Sequence, residues 1–276
     1  MAKKRVILLA DRSITTIDQI AQKLNQELAE VVEFVGDDLQ TPCDLAIAIG
    51  GDGTLIHYGP LLASAGIPLI GVNSGRLGFL ATFDADSLIE QRDAVFSEAY
   101  RSISITLLEI CVGGGEPIVA MNEAMIASGP PFQIIELDLS INGVEAPILR
   151  GDGIIIATPT GSTAHNVSVG GPIVDPSSEV IVLTPVAAHS LAVRPIVVAN
   201  DTTVQVTVRK ANEGTSLVID GTVASVLHEG TTLVVTRSKN NLSMLLNPTN
   251  TYWNTLVDKL HWAAPLELAE KTKLYD

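Results

Sequence analysis

The sequence predicts an α/β amino-terminal domain followed by an all-β domain, and three observations carry that reading. Residues 1–100 alternate short apolar runs with stretches of helical period, as a mostly parallel sheet with crossover helices requires. Residues 102–246 lose the helical period, and short runs rich in Ile, Val and Thr recur between turn residues, as in a β-sandwich. The two textures meet at Tyr100–Ser102. The expected domains are therefore 1–100 and 101–246, with 247–276 packing back onto the first.

The elements follow in order. Val6–Ala10 reads as a buried strand, and Ile17, Ile20, Leu24 and Leu28 recur at helical spacing behind it, with Thr15 and Thr16 as candidate N-caps. Val31–Val35 suits a second strand, and the polar stretch Asp37–Asp44 with Pro42 suits a loop. Leu45–Ile49 is apolar throughout, which marks a strand covered on both faces. A helix to about Ser64, a short strand Ile67–Val72 and a helix over Asp84–Tyr100 complete a Rossmann-like first domain. In the second, strands are expected at 103–112, 118–121, 134–141, 154–158, 180–184, 196–198, 204–208, 217–219, 233–236 and 242–246. Asn142-Gly143 supplies a hairpin turn. Tyr252–Trp262 returns to a helical period.

Composition narrows the function. Lys and Arg total 17 against 31 Asp and Glu, a net charge of −14, which argues against nucleic acid or an anionic membrane surface as the main partner. Two cysteines, Cys43 and Cys111, lie far apart beside apolar runs, a pattern of buried thiols in a reducing compartment. The basic start MAKKR precedes only five apolar residues, too few for a signal peptide. The most apolar long window, 180–199, is broken by His189, Arg194 and two prolines and does not read as a membrane span. The expectation is a soluble, cytoplasmic protein.

Chemistry concentrates first at Gly50-Gly51-Asp52-Gly53-Thr54, directly after the buried strand 45–49. A strand, a glycine loop and a helix start present amides to an anion, so Gly50, Gly51, Gly53 and Thr54 form a candidate phosphate loop. Asp52 inside it is either a ligand for Mg²⁺, an acceptor for the proton of an attacking hydroxyl, or simply a helix cap in a tight turn. Gly71, Gly75 and Gly78 make a second glycine-rich connection containing Arg76. Asn122-Glu123 pairs an amide with a carboxylate, suited to sugar hydroxyls or a carboxamide, or to a solvated turn. Gly151-Asp152-Gly153 brings another carboxylate, with Arg150 beside it for a phosphate or as a surface charge. Residues 158–166, TPTGSTAHN, run into Ser168 and Gly170-Gly171, a stretch suited to lining a pocket with hydroxyls and amides, or to a plain Thr/Ser-rich loop. The chain has no P-loop, GxGxxG fingerprint, protein-kinase motif set or GxSxG elbow, and its five histidines show no zinc spacing.

Together these stretches resemble the NAD kinase family. The likeness rests on GGDGT at 50–54, GVNSGRLGFLA at 71–81, NE at 122–123 and GDGIIIATPTGSTA at 151–164, continuing through GGPIVDP at 170–176, LTPVAAHSLAVRP at 183–195 and IDG at 219–221. Lipid kinases share GGDGT but lack the TPTGSTA block. The resemblance implies a site between an α/β and a β-sandwich domain, where ATP phosphorylates the adenosine-ribose 2′-hydroxyl of NAD in a homodimer or homotetramer. It implies Mg²⁺ or another divalent cation carried on the phosphates, with no side-chain metal cluster. Asp52 matches the family's general base, Gly53 a contact to NAD, and Asn122 and Glu123 the pair that holds the nicotinamide-side ribose and its surroundings. Asp152 matches an acid that reaches NAD from a neighbouring subunit; Thr163, Ala164 and Ser168 match the dinucleotide pocket and Ala187 its wall. The chain departs from the family at His165, where Tyr is usual, at Asn166, where Ser is usual, and at His57, where many members carry Arg. A histidine at 165 still stacks on or hydrogen-bonds a base, and the change at 57 bears on phosphate-donor preference; His57 and His165 both stay among the nucleotide-binding candidates. The rival readings are a non-catalytic NAD(P) sensor on the same fold and a diacylglycerol-type lipid kinase.

Overall fold

The computed structural model describes residues 3–75, 77–97, 100–190, 192–247 and 249–262, so Arg76 lies outside the described residues. In chain order the first elements are β1 (Lys4–Ala10), α1 (Thr15–Glu27), β2 (Val32–Gly36), β3 (Leu45–Ile49), α2 (Asp52–Ala65), β4 (Leu69–Val72), α3 (Ala85–Glu90), α4 (Arg92–Val95) and β5 (Ser102–Ile105). The β-rich part follows with β6 (Leu108–Val112), β7 (Ile118–Ala120), β8 (Glu123–Ala127), β9 (Ile135–Ile141), β10 (Val144–Glu145), β11 (Leu149–Gly151) and β12 (Gly153–Ala157). A 3₁₀ turn (Thr160–Thr163) and α5 (His165–Ser168) lead to β13 (Val180–Val186), β14 (Ile196–Ala199), β15 (Val204–Lys210), β16 (Ser216–Ile219), β17 (Thr222–Val226) and β18 (Thr232–Arg237). The last elements among the described residues are β19 (Leu242–Leu245) and α6 (Tyr252–Leu260).

Two compact units result, one from residues 3–58, 67–103 and 243–262, the other from 59–66 and 104–242. The first is built on a six-stranded sheet of order β2-β1-β3-β4-β19-β5, with parallel pairing from β2 through β19. All five residues of β3 are buried, as a central parallel strand covered on both faces must be. Leu24, Leu28, Phe83 and Leu88 close the core over Val6, Leu8, Ile47 and Ile49.

Some local expectations give way here. Helix α1 begins at Thr15 with Ile14 in the cap position, so neither threonine caps it. The helix expected over Asp84–Tyr100 is two short ones, since the chain leaves helical geometry at Gln91, whose side-chain amide donates to Asn247 and Thr249. Leu242–Leu245, read from sequence as the last strand of the β domain, instead pairs with β4 through Met244 and Leu69. A polar break at Thr106 also divides the expected strand 103–112 into β5 and β6.

The second unit is a sandwich of two sheets, β10-β9-β15-β18-β6-β7 (with β11 on β9) and β14-β13-β12-β8-β16-β17. Alternate residues of both sheets interleave in one core, among them Ile110, Leu137, Val206 and Val235 from the first and Ile126, Ile154, Ile156, Leu183 and Leu217 from the second. Asn142 and Gly143 both adopt positive φ, 51° and 78°, in the hairpin joining β9 to β10. Strands β8 and β17 were absent from the sequence reading: Glu123 opens β8, and β17 has one face open to water.

Candidate functional site

Asp52 is the first residue of α2, placed there by the turn that Gly50 and Gly51 make after β3. Gly50 is required sterically, because a Cβ on it would stand 2.2 Å from the Thr54 hydroxyl. Its amide donates to Val72 of β4 (2.9 Å) and that of Thr54 to Gly51 (3.0 Å), so the first ties the loop to the neighbouring strand and the second closes the turn. Gly51 and Gly53 are exposed. The Asp52 carboxylate turns to a different loop. Oδ2 accepts the amide of Phe79 at 2.9 Å, and Oδ1 accepts those of Leu80 and Ala81 at 3.0 and 3.1 Å. A carboxylate has about four acceptor positions, so three are filled and one is left.

That second loop is itself tied. Asn73 donates from its backbone and its side chain to the Phe83 carbonyl and accepts the Gly75 amide, closing 73–83 on itself. Gly78 lies so close to Asp52 that a Cβ would come within 2.0 Å of Oδ1. His57, one turn into α2, is exposed and meets the Tyr58 ring edge-on at 4.9 Å.

In the second unit the candidates gather at the two ends of β12. At its start, the Asp152 amide donates to Val186 (2.9 Å) and its carbonyl accepts the Ser128 amide (2.7 Å), leaving the side chain exposed. Gly151 packs against the backbone of 186–188, and Ala187 is exposed with a φ of 44°. Asp152 and Ala187 are thus brought to one end. Arg150 is engaged elsewhere, its Nε donating to Glu136 at 3.1 Å across the β11–β9 pair.

At the far end, Thr158 is fully buried; its amide donates to Asn122 (2.8 Å) and its hydroxyl to Met121 (2.7 Å). Gly161 sits on the Asn122 backbone, where a Cβ would stand 2.1 Å from the carbonyl oxygen. The TPTGSTA turn and the Asn122-Glu123 pair are therefore one assembly. Thr163 and Ala164 are half-buried, and His165 and Ser168 are exposed on α5. Asn166 is fully buried: its Nδ2 donates to the Ser162 and Pro172 carbonyls, and its Oδ1 accepts the Thr184 hydroxyl at 2.6 Å.

Asn122 and Glu123 are 8% and 5% exposed. Burial, reinforced by the negative charge of Asp220, pushes the Glu123 carboxyl up to about 7. Its Oε2 is buried and has no protein partner. Asp220 is raised as well, by burial, against the pull of three amides that it accepts from Met121, Asn122 and Glu123. Sequence reasoning quoted Asp220 in IDG without giving it a role; its Asp-Gly hairpin signature was the available signal. Among the described residues no group of three or more His, Cys, Asp or Glu side chains is placed to hold a metal ion.

Residues 3–100 match the model of the ATP-NAD kinase N-terminal domain and residues 121–246 that of the ATP-NAD kinase C-terminal domain. The chain is 36% identical over 247 residues to the NAD kinase of Rhodopirellula baltica, covering 88% of this chain and 79% of that one. It is 35% identical to the NAD kinase of Yersinia pestis over 252 residues, covering 90% and 85%. Its fold matches yeast NADH kinase complexed with NADH at a TM-score of 0.81, with 22% identity and 100% and 90% of the two chains covered. An NAD kinase from Archaeoglobus fulgidus in complex with ATP matches at 0.73, with 24% identity and 94% and 99% covered. The chain belongs to the ATP-NAD kinase family.

Proposed function

We propose that this protein is an NAD kinase that transfers the γ-phosphate of ATP to the 2′-hydroxyl of the adenosine ribose of NAD. The observation that carries the reading furthest is the Asp52 carboxylate, held by three amides of loop 73–83 with one acceptor position left. A base fixed in that way accepts the hydroxyl proton without first having to be oriented. The 2′-oxygen then bonds to the γ-phosphorus as the bond to the β,γ-bridging oxygen breaks, and ADP departs with that electron pair.

The phosphates lie against Gly51, Asp52 and Gly53 at the start of α2. A divalent cation bound to ATP would offset the charge of its phosphates. Asn122 and Glu123 hold the ribose side of NAD, and Thr163, Ala164, His165 and Ser168 flank the dinucleotide. Asp152 and Ala187 serve NAD at the other end of β12, with Asp152 reaching the nucleotide of a neighbouring copy in a homodimer or homotetramer. A cytoplasmic setting belongs to the same reading.

The test is NADP formation by the purified protein, with NAD, ATP and Mg²⁺ each omitted in turn. Turnover that needs all three supports the kinase. NAD binding by calorimetry without turnover would point instead to an NAD(P) sensor.

A further inference from the structure

We infer that Asp220 is a positioning residue for the nucleotide site, a clamp that fixes the backbone from which Asn122 and Glu123 project. The inference rests on the assignment of that pair to NAD. Met121, Asn122 and Glu123 donate their three consecutive amides to this one side chain, Met121 to Oδ2 at 2.7 Å, Asn122 to Oδ1 at 2.7 Å and Glu123 to Oδ1 at 3.0 Å. In return, the Asp220 amide donates to the Glu123 carbonyl at 3.1 Å. The carbonyls of Met121 and Asn122 are taken by the hydroxyl and the amide of Thr158. Each backbone polar group of the three residues is thereby bound to Asp220 or to Thr158.

The clamp is placed by its own turn. Asp220 and Gly221, with φ of 46° and 80°, form the two-residue connection of the β16–β17 hairpin, in which Ile219 pairs with Thr222. Strand β16 lies directly beside β8, so the turn ends where the Asn122-Glu123 segment begins. An aspartate tolerates the left-handed conformation, and its short side chain reaches a run of amides that a longer acid would overshoot.

The same side chain acts on Glu123 through charge. The strands on either side of β8, β12 and β16, carry no charged residue, and Asp220 is the one charged group among the described residues that shifts the Glu123 carboxyl. Glu123 is therefore partly protonated near neutrality, and a donor such as a ribose hydroxyl favours its ionised form. Binding of NAD should then tighten as pH rises through about 7.

The experiment measures KM for NAD and for ATP across pH 5.5–8.5 for wild type, Asp220→Ala and Asp220→Asn, with hydrogen exchange of residues 121–123 followed in parallel. Asp220→Ala should raise KM for NAD by up to about 100-fold while KM for ATP changes far less. Asp220→Asn keeps one acceptor oxygen and removes the charge. Its KM for NAD should rise less, and its pH midpoint should fall. Should Asp220→Ala not fold, the midpoint shift in Asp220→Asn decides alone. Faster exchange at 121–123 with both KM values and the midpoint unchanged would overturn the inference, because the clamp would then serve stability alone. Asn122→Ala and Glu123→Ala keep the two readings apart. If neither alters KM for NAD, the assignment of that pair to NAD fails, whereas an effect there without one at Asp220 removes only the clamp.

Discussion

At Asp52 three loop amides converge on one carboxylate, and the closest approach to it is made by a residue without a side chain. Gly78→Ala would put a methyl group 2.0 Å from Oδ1, so the carboxylate or the loop must move. We expect kcat/KM to fall by about 100-fold in that variant, measured as NADP formation. Asp52 stood out in the sequence because a lone acid among glycines needs an explanation. Its anchors were not, since Phe79, Leu80 and Ala81 act through main-chain amides that no side-chain pattern reports. Asp220 was hidden in another way: it lies 97 to 99 residues from the amides it holds. Arg150 shows the converse, because its place beside Asp152 suggested a phosphate contact while cross-strand register delivers it to Glu136.

Among the elements, the segment from the 3₁₀ turn through α5 depends on Asn166. A buried amide with both ends engaged joins residues 162 and 172 to Thr184 on β13. Asn166→Ala leaves the fully buried Thr184 hydroxyl and two carbonyls without their partner, at a cost of about 1–3 kcal/mol in stability read by urea unfolding. Gly171 leaves no slack, since a Cβ there would stand 2.0 Å from Asn166 Oδ1. Strands with uninterrupted apolar runs, such as β3 and β12, were legible because burial on both faces leaves no polar position. Strand β8 was not, because it opens with a buried glutamate, and β17 was not, because most of its residues face water. The long helix expected over Asp84–Tyr100 fails for a tertiary reason, the hydrogen bonds that Gln91 makes to Asn247 and Thr249.

For the whole molecule, the buried Glu123–Asp220 pair ties stability to pH. Glu123 is raised from 4.5 to about 7, so between these values the folded state binds more protons than the unfolded one. Its contribution is fully present below about pH 4.5 and is lost as pH rises through about 7, on the order of 3 kcal/mol in all. Asp220, also raised, acts with the same sign at its lower unfolded value. Wild-type Tm should therefore fall between pH 5 and 8, and Glu123→Gln should flatten that fall, both followed by calorimetry. The two-part architecture was legible from texture alone, helical period giving way to short β runs. The membership of β19 in the first sheet was not, because a four-residue apolar run carries no sign of the sheet it joins.

We propose Asp52 as the base of a phosphoryl transfer to NAD. The most direct measurement is kcat for NADP formation by Asp52→Asn, with its affinity for NAD determined by calorimetry on the same sample. The account predicts a kcat lower by about 10²–10⁴ with NAD affinity nearly unchanged. A variant that turns over at the wild-type rate would contradict it.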